Sequence, residues 1–138
     1  MATFTDTSGD DIANAAIGQL IGFSGGSVAE LQDGIGDNFW GSGGDDFVFA
    51  GNANDVIEGG EGHDALNGGA GNDILQGGPG NDTIDGGPGQ NTVDGGFGSD
   101  AIFSRNSIAD IIDGGADADT LTGDLIDTVS NVENPNLA

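Results

Sequence analysis

A nine-residue repeat runs through the middle of the chain and limits what the chain can fold into. Its seven units, over 41–103, read GSGGDDFVF, AGNANDVIE, GGEGHDALN, GGAGNDILQ, GGPGNDTID, GGPGQNTVD and GGFGSDAIF. Glycine recurs at positions 1, 2 and 4, an acidic or amide residue at position 6, and an aliphatic residue at position 8. Such a period does not fit an amphipathic helix, whose apolar residues return about every 3.6 residues. The repeat therefore predicts short strands that alternate with sharp turns.

The predicted strands lie at positions 7 to 9 of each unit, where β-forming residues flank one aliphatic side chain. Because side chains alternate along a strand, position 8 faces one side and positions 7 and 9 face the other. Positions 1 to 6 form the turn, in which glycine permits positive φ angles and close backbone approach. Two units then make one coil of a solenoid. The predicted core consists of Val48, Ile57, Leu66, Leu75, Ile84, Val93 and Ile102.

The repeat becomes irregular at both ends. After the seventh unit the frame shifts by one residue, and the units RNSIADIID and GGADADTLT place Asp110 and Asp119 at position 6. Upstream, the degenerate unit GIGDNFW has Asp37 or Asn38 in the acidic position. The sequence therefore predicts an all-β fold over 32–122, a parallel β-roll, which is a right-handed β-solenoid of nonapeptide repeats.

The flanking segments are predicted to cap the solenoid, because a solenoid exposes its core at both ends. The N-terminal cap is assigned to residues 1–31, and 123–138 are expected to form a strand or a disordered tail. Four apolar residues within 10–23 are spaced for a short helix, although an irregular coil also fits: Ala13, Ile17, Leu20 and Ile21. Four aromatic residues are expected to cover the first coil: Phe39, Trp40, Phe47 and Phe49.

The net charge determines what can hold such a chain together. It has 24 acidic residues against one basic residue, Arg105, and one histidine, His63, for a formal net charge of -23. It should repel nucleic acids and anionic membranes, and it has no apolar run of membrane-spanning length. Low hydrophobicity with high net charge usually indicates disorder. A compact fold therefore requires cations that neutralise the carboxylates.

The repeat stacks the position-6 side chains in two rows, because units on one edge are 18 residues apart and neighbouring strands lie about 4.8 Å apart. Carboxylates at that separation repel one another unless a cation lies between them. Calcium fits, since it accepts about six to eight oxygen ligands in flexible geometry, and glycine-rich turns expose carbonyl oxygens. One row contains Asp46, Asp64, Asp82, Asp100 and Asp119, and the other contains Asp37, Asp55, Asp73, Asn91 and Asp110.

The units match the pattern GGxGxDxUx, most closely in GGEGHDALN, GGAGNDILQ and GGPGNDTID. The sequence resembles the haemolysin-type calcium-binding repeats of the RTX family, the parallel β-rolls of secreted bacterial toxins, proteases, lipases and epimerases. The resemblance implies several Ca²⁺ ions between the turns of successive coils, bound by aspartates and glycine carbonyls. The implied metal-binding residues are Asp46, Asp55, Asp64, Asp73, Asp82, Asp100, Asp119, Gly59, Gly60, Gly62, Gly68, Gly69, Gly71, Gly77, Gly78 and Gly80.

The resemblance also implies an extracellular calcium-binding module that folds on binding Ca²⁺ and stabilises its protein or assists type I secretion. Other domains of a larger secreted protein are the expected partners. The alternatives are an adhesin or surface-interaction module, and the non-catalytic C-terminal part of a secreted enzyme or toxin. No enzymatic activity is expected from these residues, because a catalytic carboxylate pair is normally unique whereas these pairs recur.

Several units depart from the family pattern. Asn91 replaces an acid, so the site that it shares with Asp73 should be weaker or empty. Ser42, Ala50 and Ala53 replace glycine, which brings the turn geometry of the first two units into question.

Overall fold

The computed structural model describes residues 2–5, 12–14, 19–21, 34–104 and 106–137. Over these residues the chain forms strands and no helix. The strands are β1 (Thr3–Thr5), β2 (Ile12–Asn14), β3 (Gln19–Ile21), β4 (Asn38–Gly43), β5 (Phe47–Phe49), β6 (Val56–Glu61), β7 (Ala65–Asn67), β8 (Ile74–Pro79), β9 (Thr83–Asp85), β10 (Thr92–Phe97), β11 (Ala101–Ser104), β12 (Ile111–Asp113), β13 (Thr120–Gly123), β14 (Thr128–Ser130) and β15 (Asn134–Leu137).

From β4 onward, successive strands alternate between two sheets. Sheet A has the order β1-β4-β6-β8-β10-β12-β14, and sheet B has the order β15-β13-β11-β9-β7-β5-β2-β3. In the regular repeats each strand pairs in parallel with the strand one coil away, as Val56 in β6 pairs with Ile74 in β8. Among the described strands only β2 and β3 pair in antiparallel fashion. The prediction of an all-β parallel solenoid is confirmed.

The core is one residue deep on each sheet. Each regular strand buries its central residue and leaves the flanking residues more exposed, as in β9 with buried Ile84. All seven predicted core residues are buried, and Phe4, Phe39, Ala50, Ile112 and Leu121 join them. The rings of Phe4 and Phe39 stack with centroids 4.9 Å apart. Full burial of one such side chain contributes roughly 1.5–3 kcal/mol, so a core this thin leaves a large role to the polar edges.

The N-terminal segment contains strands where a short helix was one interpretation. Ile12–Asn14 pairs in parallel with Phe47–Phe49 and antiparallel with Gln19–Ile21. The helix is therefore wrong at these residues, and the rest of 10–23 lies outside the described residues, as does Arg105. The physical reason is that a sheet edge offers unpaired main-chain groups, whereas an isolated helix of this length is marginal.

The aromatic residues at the first regular units do not form a single cluster that covers the first coil. Phe39 belongs to the core, with its side chain fully buried. Phe47 is 41% exposed and lies with Phe49 on the outer face of sheet B, because positions 7 and 9 point away from the core. The expected covering cluster is therefore wrong.

The turns keep their geometry where Ser42 and Ala53 replace glycine. Ser42 pairs with Gly60 in the ladder between β4 and β6 and has a φ of 150°. Ala53 has a φ of 121°, at the position where Gly71 has a φ of 158°. A non-glycine residue held in such a conformation costs on the order of 1–3 kcal/mol. The first two units therefore retain the turn with some backbone strain.

Both sheets continue past residue 122. β14 pairs with β12, and β15 pairs with β13. Val129 in β14 packs against the core. The division of the chain into 1–31, 32–122 and 123–138 stays a prediction. Nowhere in the described ranges is there a helix long and apolar enough for a membrane crossing.

Candidate metal centres

A polar residue immediately precedes each strand from β4 onward, and most of these residues are buried. Those before the sheet A strands are here called row A, and those before the sheet B strands row B. Row A contains Asp37, Asp55, Asp73, Asn91, Asp110 and Asp127, and row B contains Asp46, Asp64, Asp82, Asp100, Asp119 and Glu133. All except Asp127 and Glu133 are at most 2% exposed. The fold therefore brings the position-6 residues into two continuous rows, which are buried except at their last members, Asp127 and Glu133.

Within each row, the carboxylate of one acid accepts the main-chain N–H of the row member on the preceding coil. The main-chain N–H of Asp64 donates to Oδ1 of Asp82 at 2.8 Å, and that of Asp82 donates to Oδ1 of Asp100 at 2.8 Å. Row A has the same contact between Asp55 and Asp73. The N–H of Asp46 likewise donates to Asp64. One carboxylate oxygen of each accepting acid is thus fixed by the backbone.

The second carboxylate oxygen has a different environment. Oδ2 is buried and accepts no hydrogen bond from the described part of the chain at five acids: Asp55, Asp73, Asp82, Asp100 and Asp119. A buried carboxylate oxygen without a donor is unfavourable, because it has lost its hydration without replacement. Since these oxygens recur at equivalent positions of both rows, they fit a row of cations better than isolated packing defects.

Glycine at position 1 makes room for this oxygen. A Cβ atom at Gly68 would lie 2.5 Å from Oδ2 of Asp73 and 2.9 Å from the carbonyl oxygen of Gly86. A Cβ atom at Gly77 would collide with Oδ2 of Asp82 in the same way. Neither glycine has a positive φ. In these two turns glycine avoids a collision with oxygen atoms and leaves an oxygen-lined space, whereas the second unit has Ala50 at position 1.

Burial makes the ionised carboxylates unfavourable in the absence of a cation. The pKa of Asp82 is raised to about 7, mainly by burial and also by the neighbouring Asp64 and Asp100 charges, against the opposing effect of the main-chain hydrogen bond. Burial likewise raises the pKa of Asp73 to about 6. The pKa values of Asp55, Asp100 and Asp119 are raised for the same main reason. A cation would remove this penalty by stabilising the charged form.

Asn91 shows which main-chain atoms face the position-6 side chain. Its Oδ1 accepts the N–H of Asp73 at 3.0 Å, as an aspartate Oδ1 does. Its Nδ2 lies 3.0 Å from the carbonyl oxygen of Gly87 and 3.4 Å from that of Gly89. These glycines hold positions 2 and 4 of the turn. Because the turns repeat, the carbonyls at positions 2 and 4 are the candidate partners of a cation in the aspartate turns.

Proline at position 3 removes a competing hydrogen-bond donor from two of these turns. The N–H of Ala70, at position 3, donates to the position-2 carbonyl of Gly51 at 2.8 Å. Pro79 and Pro88 occupy the equivalent position on later coils. Because proline has no N–H, it cannot donate that bond to Gly60 or Gly69. These two carbonyls therefore retain capacity for a cation.

Side chains alone do not complete a site. In the described ranges no three acidic or histidine side chains converge on one point. A cation bound at Oδ2 would therefore need main-chain carbonyls, which calcium accepts readily as ligands. The predicted glycines all lie in these turns: Gly59, Gly68 and Gly77 at position 1, Gly60, Gly69 and Gly78 at position 2, and Gly62, Gly71 and Gly80 at position 4. Their role as ligands stays a prediction.

The sequence did not identify the last member of each row. Oδ1 of Asp127 accepts the N–H of Asp110 at 3.1 Å, and Oε2 of Glu133 accepts the N–H of Asp119 at 2.8 Å. Asp127 had a signal, since DTV matches the end of the repeat with Val129 at position 8. Glu133 had none, because a proline follows where the aliphatic residue is expected.

The RTX calcium-binding nonapeptide repeat matches the chain in four copies, over 33–66, 40–75, 67–102 and 107–125, which together make up more than half of it. The chain belongs to this family. RTX repeats bind Ca²⁺, and the buried aspartate rows fit that ion. An RTX β-roll is a structural calcium-binding unit and is not itself catalytic. RTX repeats are typical of secreted proteins. No curated protein and no solved structure matches the chain.

Proposed function

We propose that this chain is an RTX module that folds when Ca²⁺ binds along rows A and B. The observation that carries the proposal is the recurring buried Oδ2 atom without a hydrogen-bond donor, as at Asp73, Asp82 and Asp100. An apolar core one residue deep has little excess stability with which to bury these charges. Bound calcium supplies the positive charge that makes the ionised rows compatible with a compact fold.

The proposed ligands come from each glycine turn and its aspartate. Oδ2 supplies the carboxylate oxygen, and the carbonyls of positions 2 and 4 supply main-chain oxygens, since the Asn91 amide lies beside the equivalent atoms. Position 1 leaves the space, as Gly68 does for Asp73. The proposed sites lie along Asp46, Asp55, Asp64, Asp73, Asp82, Asp100 and Asp119.

The proposed setting is outside the cell, in a larger secreted protein. Two features support it: the family is typical of secreted proteins, and a net charge of -23 opposes folding wherever divalent cations are scarce. A chain that stays unfolded inside the cell suits export through a type I apparatus, and calcium outside would then drive folding. The calcium-dependent module would stabilise the exported protein and, by folding after passage, assist its secretion.

Far-ultraviolet circular dichroism during a calcium titration, followed by EDTA, tests the folding step. The spectrum should change cooperatively from disordered to β-rich in the high-micromolar to millimolar range expected for extracellular modules, about 10⁻⁴–10⁻³ M, and it should revert in EDTA. Magnesium at the same concentration is the control, because it demands a tighter octahedral geometry and keeps more of its water. A β-rich spectrum that persists in EDTA would contradict the proposal.

A surface-interaction role is the second candidate, and one observation favours it. The outer face of sheet B carries an open groove of about 410 Å³ whose walls include Phe47, Phe49 and Phe103. Phe47 and Phe103 are each more than 40% exposed, and exposed apolar clusters often mark contact sites. In support of this role, the wild type should be retained on immobilised matrix polymers. The double variant Phe47→Ser and Phe103→Ser should lose this retention while its calcium binding stays unchanged. Equal retention of both proteins would count against it.

A further inference from the structure

The turn between β11 and β12 is built differently from the glycine turns. Its sequence over 104–110 is SRNSIAD, which has no glycine. It is also one residue longer, since Asn91 and Asp110 are 19 residues apart whereas Asp73 and Asn91 are 18 apart. It therefore lacks the glycine that leaves space beside Oδ2 in the turn of Asp73. Side chains of this turn contact the carboxylate of Asp110 instead.

The side chain of Asn106 occupies this corner. Its Nδ2 lies 2.7 Å from the carbonyl oxygen of Gly87, 3.1 Å from that of Gly89 and 3.1 Å from Oδ2 of Asp110. Three acceptors around one nitrogen fix the orientation of the amide, because the amide oxygen would be repelled there. The amide oxygen in turn accepts the N–H of Ile108 at 2.7 Å. Asn106 thus joins two turn carbonyls of one coil to the carboxylate of the next.

Two more side chains complete the network. Oγ of Ser104, which is buried, lies 2.6 Å from Oδ2 of Asp110 and 3.0 Å from Oδ2 of Asp127. The amide of Asn91 faces the same glycine carbonyls as Asn106. From the next coil, Oδ2 of Asp124 accepts the N–H of Asn106 at 3.0 Å. The polar atoms at this corner are therefore hydrogen-bonded, in contrast to Oδ2 of the five acids with no donor.

We propose that Asn106, assisted by Asn91 and Ser104, takes the place of a cation between Gly87, Gly89 and Asp110, so that this level of row A binds no calcium. The inference rests on the proposed function and deepens it, because it identifies a residue that determines where calcium is excluded. The amide hydrogens approach the two carbonyls and the carboxylate oxygen that the turn presents. Asn91 carries no charge, so less negative charge remains here for a divalent ion to neutralise.

Calcium stoichiometry of the variant Asn106→Asp tests the proposal. A carboxylate at this place adds negative charge beside two carbonyls and Asp110, so the variant should bind about one more calcium per chain than the wild type. The matched control is Asn72→Asp, which adds the same charge at an exposed residue of a glycine turn and should leave the stoichiometry unchanged. Equilibrium dialysis followed by elemental analysis gives the count. An unchanged count in Asn106→Asp would overturn the proposal.

Anomalous scattering from calcium in crystals of the wild type gives a second measurement that does not depend on whether the variant folds. Peaks are expected beside Oδ2 of Asp82 and Asp100, and none within ligand distance of Oδ2 of Asp110. Peaks at Asp82 together with a peak at Asp110 would overturn the inference alone and leave the proposed function intact. No calcium at any site would overturn the proposed function and, with it, this inference.

Discussion

Replacing Asp82 with asparagine should stabilise the protein in EDTA and reduce the further stabilisation that calcium provides. Asp82 lies within row B, where its Oδ1 accepts the N–H of Asp64 at 2.8 Å and its Oδ2 has no hydrogen-bond donor. Asparagine should keep the first contact, as Asn91 does with the N–H of Asp73. Its nitrogen then replaces the second oxygen and faces the carbonyls at positions 2 and 4, so the turn becomes independent of a cation.

The magnitude in EDTA follows from the neighbouring charges. Two unit charges one strand spacing apart, about 4.8 Å, repel by about 3.5 kcal/mol at an effective dielectric constant of 20, and Asp82 has such a neighbour on each side. This repulsion energy is an upper bound at neutral pH, because the pKa of Asp82 is raised to about 7 and its carboxyl group is partly protonated. New amide hydrogen bonds add about 1 kcal/mol each. We expect the free energy of unfolding in EDTA to rise by roughly 2–4 kcal/mol.

With saturating calcium the same substitution removes a charged ligand, so the stability gained on adding calcium should fall. A site filled at 100 times its dissociation constant contributes about 2.7 kcal/mol to folding stability, and losing it removes that amount. Urea unfolding followed by circular dichroism, in EDTA and in excess calcium, measures both effects. Sucrose, which strengthens effective burial, can be added equally to all samples if the wild type is too unfolded in EDTA.

The control for this experiment is Glu58→Gln, which removes the same charge from an exposed residue outside the rows. It should shift both unfolding curves little, since exposed charges interact weakly. A loss of stability for Asp82→Asn in EDTA, or an undiminished gain in stability when calcium is added, would refute the reasoning that the carboxylates of the row repel one another and are bridged by cations.

Two further outcomes are expected. In EDTA, the folded fraction should rise as the pH falls from about 7 towards about 4, because the raised pKa values of Asp82 and Asp73 mean that the folded state retains protons that the unfolded state releases; circular dichroism against pH measures this, and stability that rises with pH in EDTA would contradict it. Gly77→Ala should lower calcium affinity and cost about 1–3 kcal/mol, because its Cβ atom would lie 2.5 Å from a carbonyl oxygen of the next coil and against Oδ2 of Asp82. The matched control Gly43→Ala, whose Cβ atom would lie 3.4 Å from the nearest atom, should change calcium affinity and urea stability much less, and equal losses would contradict the steric reasoning.

The repeat predicted the solenoid, its core and both rows because each position carries the same role in every unit. Ile57 and Leu66 are core residues for the same reason, since alternation within a strand sends position 8 inward. The two-row arrangement needs only the coil length, which the hydrogen bond from Asp46 to Asp64 over 18 residues reproduces. Information of this kind is local and repeated, so a single irregular unit does not obscure it.

The features that the sequence did not predict occur once and depend on contacts between distant residues. Ala13 and Leu20 do have helical spacing, but Ile12–Asn14 forms a strand that pairs with the open sheet edge at β5. Asn106 had no signal, because its partners Gly87 and Gly89 lie on the preceding coil and meet it only after a one-residue insertion. A nine-residue pattern cannot predict hydrogen bonds between polar groups on different coils.

The two rows should therefore differ in how much they depend on calcium. Row B has buried Oδ2 atoms without a donor at Asp82, Asp100 and Asp119 in succession, so each of these levels needs a positive charge. Row A has them at Asp55 and Asp73, and then passes to amide and hydroxyl donors at Asn91 and beyond. Both rows flank the same core. Removing calcium therefore leaves the carboxylates of the C-terminal coils without a balancing positive charge mainly in row B. A calcium-free coil should therefore be destabilised at row B rather than in the hydrophobic core.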